Sequence, residues 1–134
     1  MSENNSSTQM PLYQIIGGAD NLRQLVHQFY INMDTLAEAI DIRKQHAKDL
    51  SEAEEKLFLF LSGWTGGPSL YIEKYGHPRL RARHLPFQIG VNERDQWLLC
   101  MSRAIDQCKI HPDAGIILNS ALARLADHMR NQND

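Results

Sequence analysis

The sequence predicts an all-α fold with four substantial helices and some shorter turns. Three observations carry this expectation. Apolar residues recur at the three-to-four spacing of a helix face over several long stretches. No stretch alternates apolar and polar residues over a useful length, so strands find no support. Glycine, proline and capping residues stand where the stripes begin and end. The chain shows no internal repeat.

Taken in order, residues 1–10 read as a disordered polar extension. Pro11, Leu12, Tyr13, Ile15 and Ile16 form a short apolar helix at most, stopped by Gly17–Gly18. Asp20 is then a plausible N-cap for a helix striped by Leu22, Leu25, Val26, Phe29, Tyr30 and Met33. Leu36, Ala37 and Ile40 extend this stripe weakly. Residues 44–50, KQHAKDL, are a polar joint that contains His46.

Ser51 and Glu54 fit a capping box for the next helix. One of its faces carries Leu50, Ala53, Leu57, Phe60, Leu61 and Trp64, and Phe58 and Leu59 make a second. A helix apolar on two sides is normally central to a core. Gly66–Gly67–Pro68 ends it, and from there to about residue 91 the periodicity is lost. So long a segment without an apolar pattern tends to be functional. Asn92 and Asp95 open a helix striped by Trp97, Leu98, Met101, Ala104, Ile105 and Cys108. Pro112 suits a first helical position, ahead of Ala114, Leu118, Ala121, Leu122, Leu125, Ala126 and Met129. Residues 131–134 should fray.

Bulk properties narrow the function classes. The chain has 134 residues, 43% of them apolar, which suits one domain with a real core. Its 14 basic and 16 acidic residues argue against a dedicated nucleic-acid binder. No apolar run approaches a membrane span, and the N-terminus has no signal-peptide pattern, so a cytoplasmic location is expected. Cys100 and Cys108 would lie about 12 Å apart along one helix, beyond the reach of a disulfide. They read as thiols in a reducing compartment.

Six histidines are the first candidates for chemistry. His27 and His128 fall off the apolar stripes and read as solvent-facing. His111 precedes Pro112 and suits a cap, and His77, in Gly-His-Pro, suits a turn. His84 differs because it lies in GHPRLRARHLPF, residues 76–87, behind Arg79, Arg81 and Arg83. Arg81 and Arg83 would oppose protonation and favour a neutral, metal-binding imidazole. Such an imidazole can hold iron, as in the proximal position of haem proteins, or can be a loop histidine bonded to backbone. The arginines read as an anion-binding stripe, as a solvated face, or as partners for carboxylates of a cofactor. Tyr30 and Trp97 lie on buried stripes and need partners for their polar tips.

These features together resemble the truncated haemoglobins of group II. The resemblance rests on Phe29–Tyr30, EKLFLFLSGWTGGP at 55–68, YGHPRLRARHLPFQIG at 75–90 and NERDQWLLCM at 92–101. It covers residues 11–130 and implies a two-over-two helical sandwich around haem b. His84 would then be the proximal iron ligand. Tyr30 and Trp97 would be distal hydrogen-bond donors, with His46 a third polar distal group and a possible sixth iron ligand. Ala53 takes the place of the distal histidine of ordinary globins. Leu57 and Phe60 would line the distal face, Phe87 the proximal edge, and Met101 is placed with them as a cofactor contact. Arg83 is the expected propionate partner, followed by Arg79, His77 and Tyr71.

The resemblance also implies binding of O2, NO and CO, an electron-donating reductase, and NO dioxygenase or peroxidase-like chemistry. No nucleic-acid or membrane partner is expected, and the chain should be a monomer or weak dimer. The competing reading is a haem-free helical module that grips an anionic partner through Arg79, Arg81 and Arg83.

Overall fold

The computed structural model describes residues 10–132. Most of the expected N-terminal extension and the last two residues therefore lie outside the described residues. Helices α1 (Leu12–Ile16), α2 (Gly18–Thr35), α3 (Ile40–Lys44), α4 (Ser51–Trp64), α5 (Leu70–Tyr75), α6 (Leu80–His84), α7 (Val91–Gln107) and α8 (Pro112–His128) follow in order. A 3-10 turn, Ala37–Ala39, joins α2 to α3. The described residues contain no strand.

The four long helices are α2, α4, α7 and α8. Helix α2 packs on both α4 and α7, and α7 packs on α8, so two helix pairs meet through α2 and α7. Leu22, Leu25, Val26, Phe29 and Met33 of α2 meet Cys100, Met101, Ala104 and Ile105 of α7 in the core. Leu118 and Leu122 of α8 close it. Across the α2–α7 contact the buried Asn32 amide donates to the Cys100 carbonyl at 3.0 Å and to Gln107 Oε1 at 2.9 Å. Both cysteines are free thiols, as expected.

Helix α4 explains its two apolar faces. Phe58 and Leu61 enter the core with Leu59, whereas Ala53, Leu57 and Phe60 are half-buried and face a cavity. Trp64 continues the stripe only in sequence: it is 36% exposed and stacks on Phe60. The turn after α4 needs glycine. Gly66 has a φ of 97°, and a Cβ on Gly67 would sit 2.5 Å from the Tyr13 ring. That close approach lets the Tyr13 N–H donate to the Thr65 carbonyl and docks α1 there.

Several local expectations change. Helix α2 starts at Gly18, so Asp20 lies in its first turn instead of capping it. The Ser51–Glu54 capping box does not form. Ser51 instead gives its N–H and hydroxyl to Asp49, and Glu54 Oε2 pairs with His27 at 3.0 Å. Helix α7 starts at Val91, where Glu93 accepts from the Gly90 N–H at 2.7 Å. The segment read as irregular between residues 68 and 91 holds the short helices α5 and α6. His84 is thus the last residue of a helix and not a loop residue. Pro112 does open α8, and His111 caps it by accepting from the Asp113 N–H.

Candidate functional site

A cavity of about 690 Å³ opens between α4, α6, α7 and α8, within the usual range for cofactor sites. One wall is α4, with Ala53, Leu57 and Phe60, continued by Tyr71 of α5. The facing wall carries Leu80, Arg83 and His84 of α6 and Phe87 beyond it. Trp97 and Tyr30 approach from the core, and His46 from the joint after α3. Leu122, Leu125, Ala126 and Met129 complete it along α8.

His84 Nδ1 lies 2.6 Å from the Leu80 carbonyl oxygen. A carbonyl only accepts, so Nδ1 carries the proton and the Nε2 lone pair is left free. This is the tautomer a metal-ligating histidine needs, with its other nitrogen oriented by backbone. The helix supplies the geometry, since Leu80 stands four residues before His84. Among the described residues no group of three or more His, Cys, Asp or Glu is placed to hold a bare metal ion. A single histidine suits an iron whose other positions are filled by its own macrocycle.

On the other side, Tyr30 is 6% exposed and its ring packs edge-on against Phe29. Burial, with the charge of Glu54 added, holds its phenol well above the usual range, so it stays a donor. Phe29 also contacts Trp97 at 4.8 Å, which fixes the two polar aromatics relative to each other. Among the described residues, neither the Tyr30 hydroxyl nor the Trp97 indole N–H is engaged in a hydrogen bond.

His46 lies 5.9 Å from Tyr30, ring centre to ring centre, and its Nδ1 donates to the Ile42 carbonyl at 3.0 Å. Burial lowers its pKa, with Arg43 and His84 acting in the same direction against the Ile42 bond. In the neutral ring Nδ1–H is thus committed to backbone, and Nε2 is an acceptor. His46 lines the cavity as a polar group, but its neutral ring has no hydrogen to offer a ligand.

Three cations line the cavity, Lys56, Arg83 and Arg94, of which Arg94 is already paired with Asp95 and Asp127. Arg83 was expected there; Lys56 was not, although it stands three residues after Ala53 on the same helix face. Arg83 gives Nε to the Pro78 carbonyl, which leaves its terminal nitrogens available. His77 and Arg79 do not line the cavity. Both are exposed, and His77 Nδ1 accepts from the Arg79 N–H as a turn residue. Met101 is fully buried in the core and also lies off the cavity.

These residues fit a flat apolar ring with an anionic edge and a central iron. The lining is largely apolar, one imidazole nitrogen is free, and Lys56 and Arg83 line the cavity beside the carboxylate-paired Arg94. Phe87 is 42% exposed at the mouth, apolar surface that such a ring would cover. The α8 contacts Leu122, Leu125, Ala126 and Met129 escaped the sequence reading, though their spacing marks them as one helix face.

A family model described as bacterial-like globin matches residues 11–131. The group 2 truncated hemoglobin YjbI of Bacillus subtilis is 39% identical over 122 residues, covering 91% of this chain and 89% of its own length. The group II 2-on-2 hemoglobin of Agrobacterium tumefaciens is similar in structure, with a TM-score of 0.90 and 45% identity, covering 99% of this chain and 100% of its own. A truncated haemoglobin structure from Bacillus subtilis, described as oxygen-avid, gives a TM-score of 0.84 at 38% identity over 91% of this chain and 100% of its own. The two-over-two all-α fold expected from the sequence is therefore the fold found. The chain belongs to the bacterial-like globin family as a truncated haemoglobin of group II, and haem is its cofactor.

Proposed function

We propose that this globin binds diatomic gases, O2 foremost, at a haem iron ligated by His84 Nε2, with Tyr30 and Trp97 as donors to the bound gas. Haem supplies, when bound, a redox-active iron centre open to O2, NO and CO. The observation that carries the reading is the 2.6 Å contact of His84 Nδ1 with the Leu80 carbonyl, because it leaves one ring nitrogen for metal. Lys56 and Arg83 would hold the propionates, and Leu57, Phe60, Tyr71 and Phe87 the ring.

Two donors held by the Phe29 contacts act as preorganised dipoles toward negative charge on a ligand. Ala53 adds no hydrogen bond, so retention of O2 depends on Tyr30 and Trp97. The resulting slow release suits redox chemistry on NO or peroxide, sustained by an electron-donating reductase, better than bulk storage. The oxygen-avid relative supports this direction. Two free thiols fit a reducing cytoplasm, and no described helix is long and apolar enough to cross a membrane. A monomer or weak dimer is the assembly proposed.

The haem-free module fares worse, because the middle of its arginine run, Arg81, is tied to backbone carbonyls. Arg81 donates to the carbonyls of His128 and Arg130, and Arg83 to that of Pro78. The test is to reduce haem-loaded protein and measure O2 release beside NO dioxygenation and peroxidase turnover. Slow release with turnover of NO or peroxide is expected; failure to bind O2 would sink the proposal.

A further inference from the structure

Helix α6 is an unlikely structure to stand alone. It has five residues, Leu80–His84, where isolated helices below about 12 residues are marginal. Arg79, just before it, takes a left-handed conformation with φ 48°, and Leu85, just after it, is 57% exposed. Neither local propensity nor deep burial accounts for the position of His84. Hydrogen bonds from the C-terminal end of the chain do.

Asn131 uses its whole side-chain amide on this segment. Its Nδ2 donates to the Phe87 carbonyl at 2.8 Å and to the carbonyl of His84 itself at 3.3 Å. Its Oδ1 accepts from the Ile89 N–H at 3.0 Å, and its backbone N–H donates to the Ile89 carbonyl at 2.8 Å. In the reverse direction Arg81 of α6 donates Nη1 to the carbonyls of His128 and Arg130, at 2.8 and 2.9 Å. The first is a carbonyl that the last turn of α8 leaves without an intrahelical partner, and the second lies just beyond the helix. Arg94 then ties the same end to α7 through Asp127 at 2.6 Å, and Arg130 joins Asp127 at 3.2 Å.

We propose that residues 128–131 are a clamp that sets the position of His84, with Asn131 as the positioning residue and Arg81 as its counterpart. This rests on the reading of His84 as the iron ligand. Because Nδ2 holds the His84 carbonyl, loss of the amide frees the backbone that carries the imidazole. The clamp also joins the His84 segment to the α8 wall of the cavity, where Leu125 and Met129 lie. Residue 131, expected to fray, is instead anchored.

The test uses full-length haem-loaded protein as wild type, Asn131→Ala, Asn131→Asp, Arg81→Ala and His84→Ala. Asn131→Asp keeps an acceptor for the Ile89 N–H but removes both donors. The readouts are the iron–histidine stretching band of the ferrous protein by resonance Raman and the rate of haem transfer to an excess of apo-acceptor. Both Asn131 variants should shift or broaden the band and speed haem loss on the order of tenfold, the effect of losing about two weak hydrogen bonds. Arg81→Ala should change both readouts in the same direction, and it carries the test if an Asn131 variant does not fold. An unchanged band and transfer rate in folded variants, even with a lowered melting temperature, would overturn the clamp. A wild-type band that survives in His84→Ala would overturn the ligand assignment instead.

Discussion

His84 gives its Nδ1 proton to the carbonyl of Leu80, 2.6 Å away and one helical turn earlier. This one contact selects the tautomer and holds the ring within α6, leaving Nε2 free. Leu80 is itself a cavity residue, so it lines the site while its carbonyl orients the His84 imidazole.

Replacing Tyr30 or Trp97 by Phe removes one donor from the distal side. A hydrogen bond of about 1 kcal/mol corresponds to a five- to tenfold change in rate at roughly 1.4 kcal/mol per decade. Stopped-flow measurement of O2 dissociation should show each variant faster by about that factor. Unchanged off-rates would remove the donor assignment.

His46 behaves differently, since its neutral ring only accepts on Nε2. His46→Leu should therefore change O2 release less than Tyr30→Phe does. The acceptor Nε2 can also take the sixth position of ferric iron when no external ligand is present. A visible spectrum that is high-spin alone and identical in His46→Ala would count against that role.

The depressed pKa of His46 also makes a pH prediction. Burial disfavours the charged ring in the folded chain, so below about pH 6.5 the unfolded chain binds more protons than the folded one. Stability from this group is present above that pH and lost as pH falls through the lowered folded value. Melts of loaded wild type and His46→Phe between pH 7.5 and 5 isolate the effect in their difference. The wild type should lose more stability on acidification; parallel curves would refute the assignment.

Lys56 and Arg83 should act on haem retention through charge. Lys56→Ala or Arg83→Ala should speed haem loss by a few-fold, as expected of partly exposed ion pairs worth up to about 1 kcal/mol. The difference from wild type should shrink in about 1 M salt, where screening reaches a few ångströms. Salt-independent loss would point to packing by the alkyl stems instead.

Much of this architecture was legible in the chain because α2, α4, α7 and α8 are long enough to show an apolar period. Helices α5 and α6 were not, since five or six residues span less than two turns. His84, Tyr30 and Trp97 were singled out from the GHPRLRARHLPF stretch, the buried stripes and the family resemblance, and all three line the same cavity. His77, Arg79 and Met101 were named with them but lie elsewhere. A turn bond holds the first pair outward, and the stripe of Met101 faces the core. The donor capacity of His46 could not be read in advance, because it depends on which nitrogen the Ile42 carbonyl takes. The anchoring of Asn131 was hidden for a similar reason: its partners lie more than forty residues away.

The central claim is that His84 holds the iron, and its most direct measurement is the visible spectrum of haem-loaded protein before and after His84→Gly. The wild type should show an intense Soret band of histidine-ligated haem. The variant should lose that spectrum and regain it when imidazole is added to fill the space of the missing ring. A His84→Gly spectrum identical to wild type without imidazole would contradict the account.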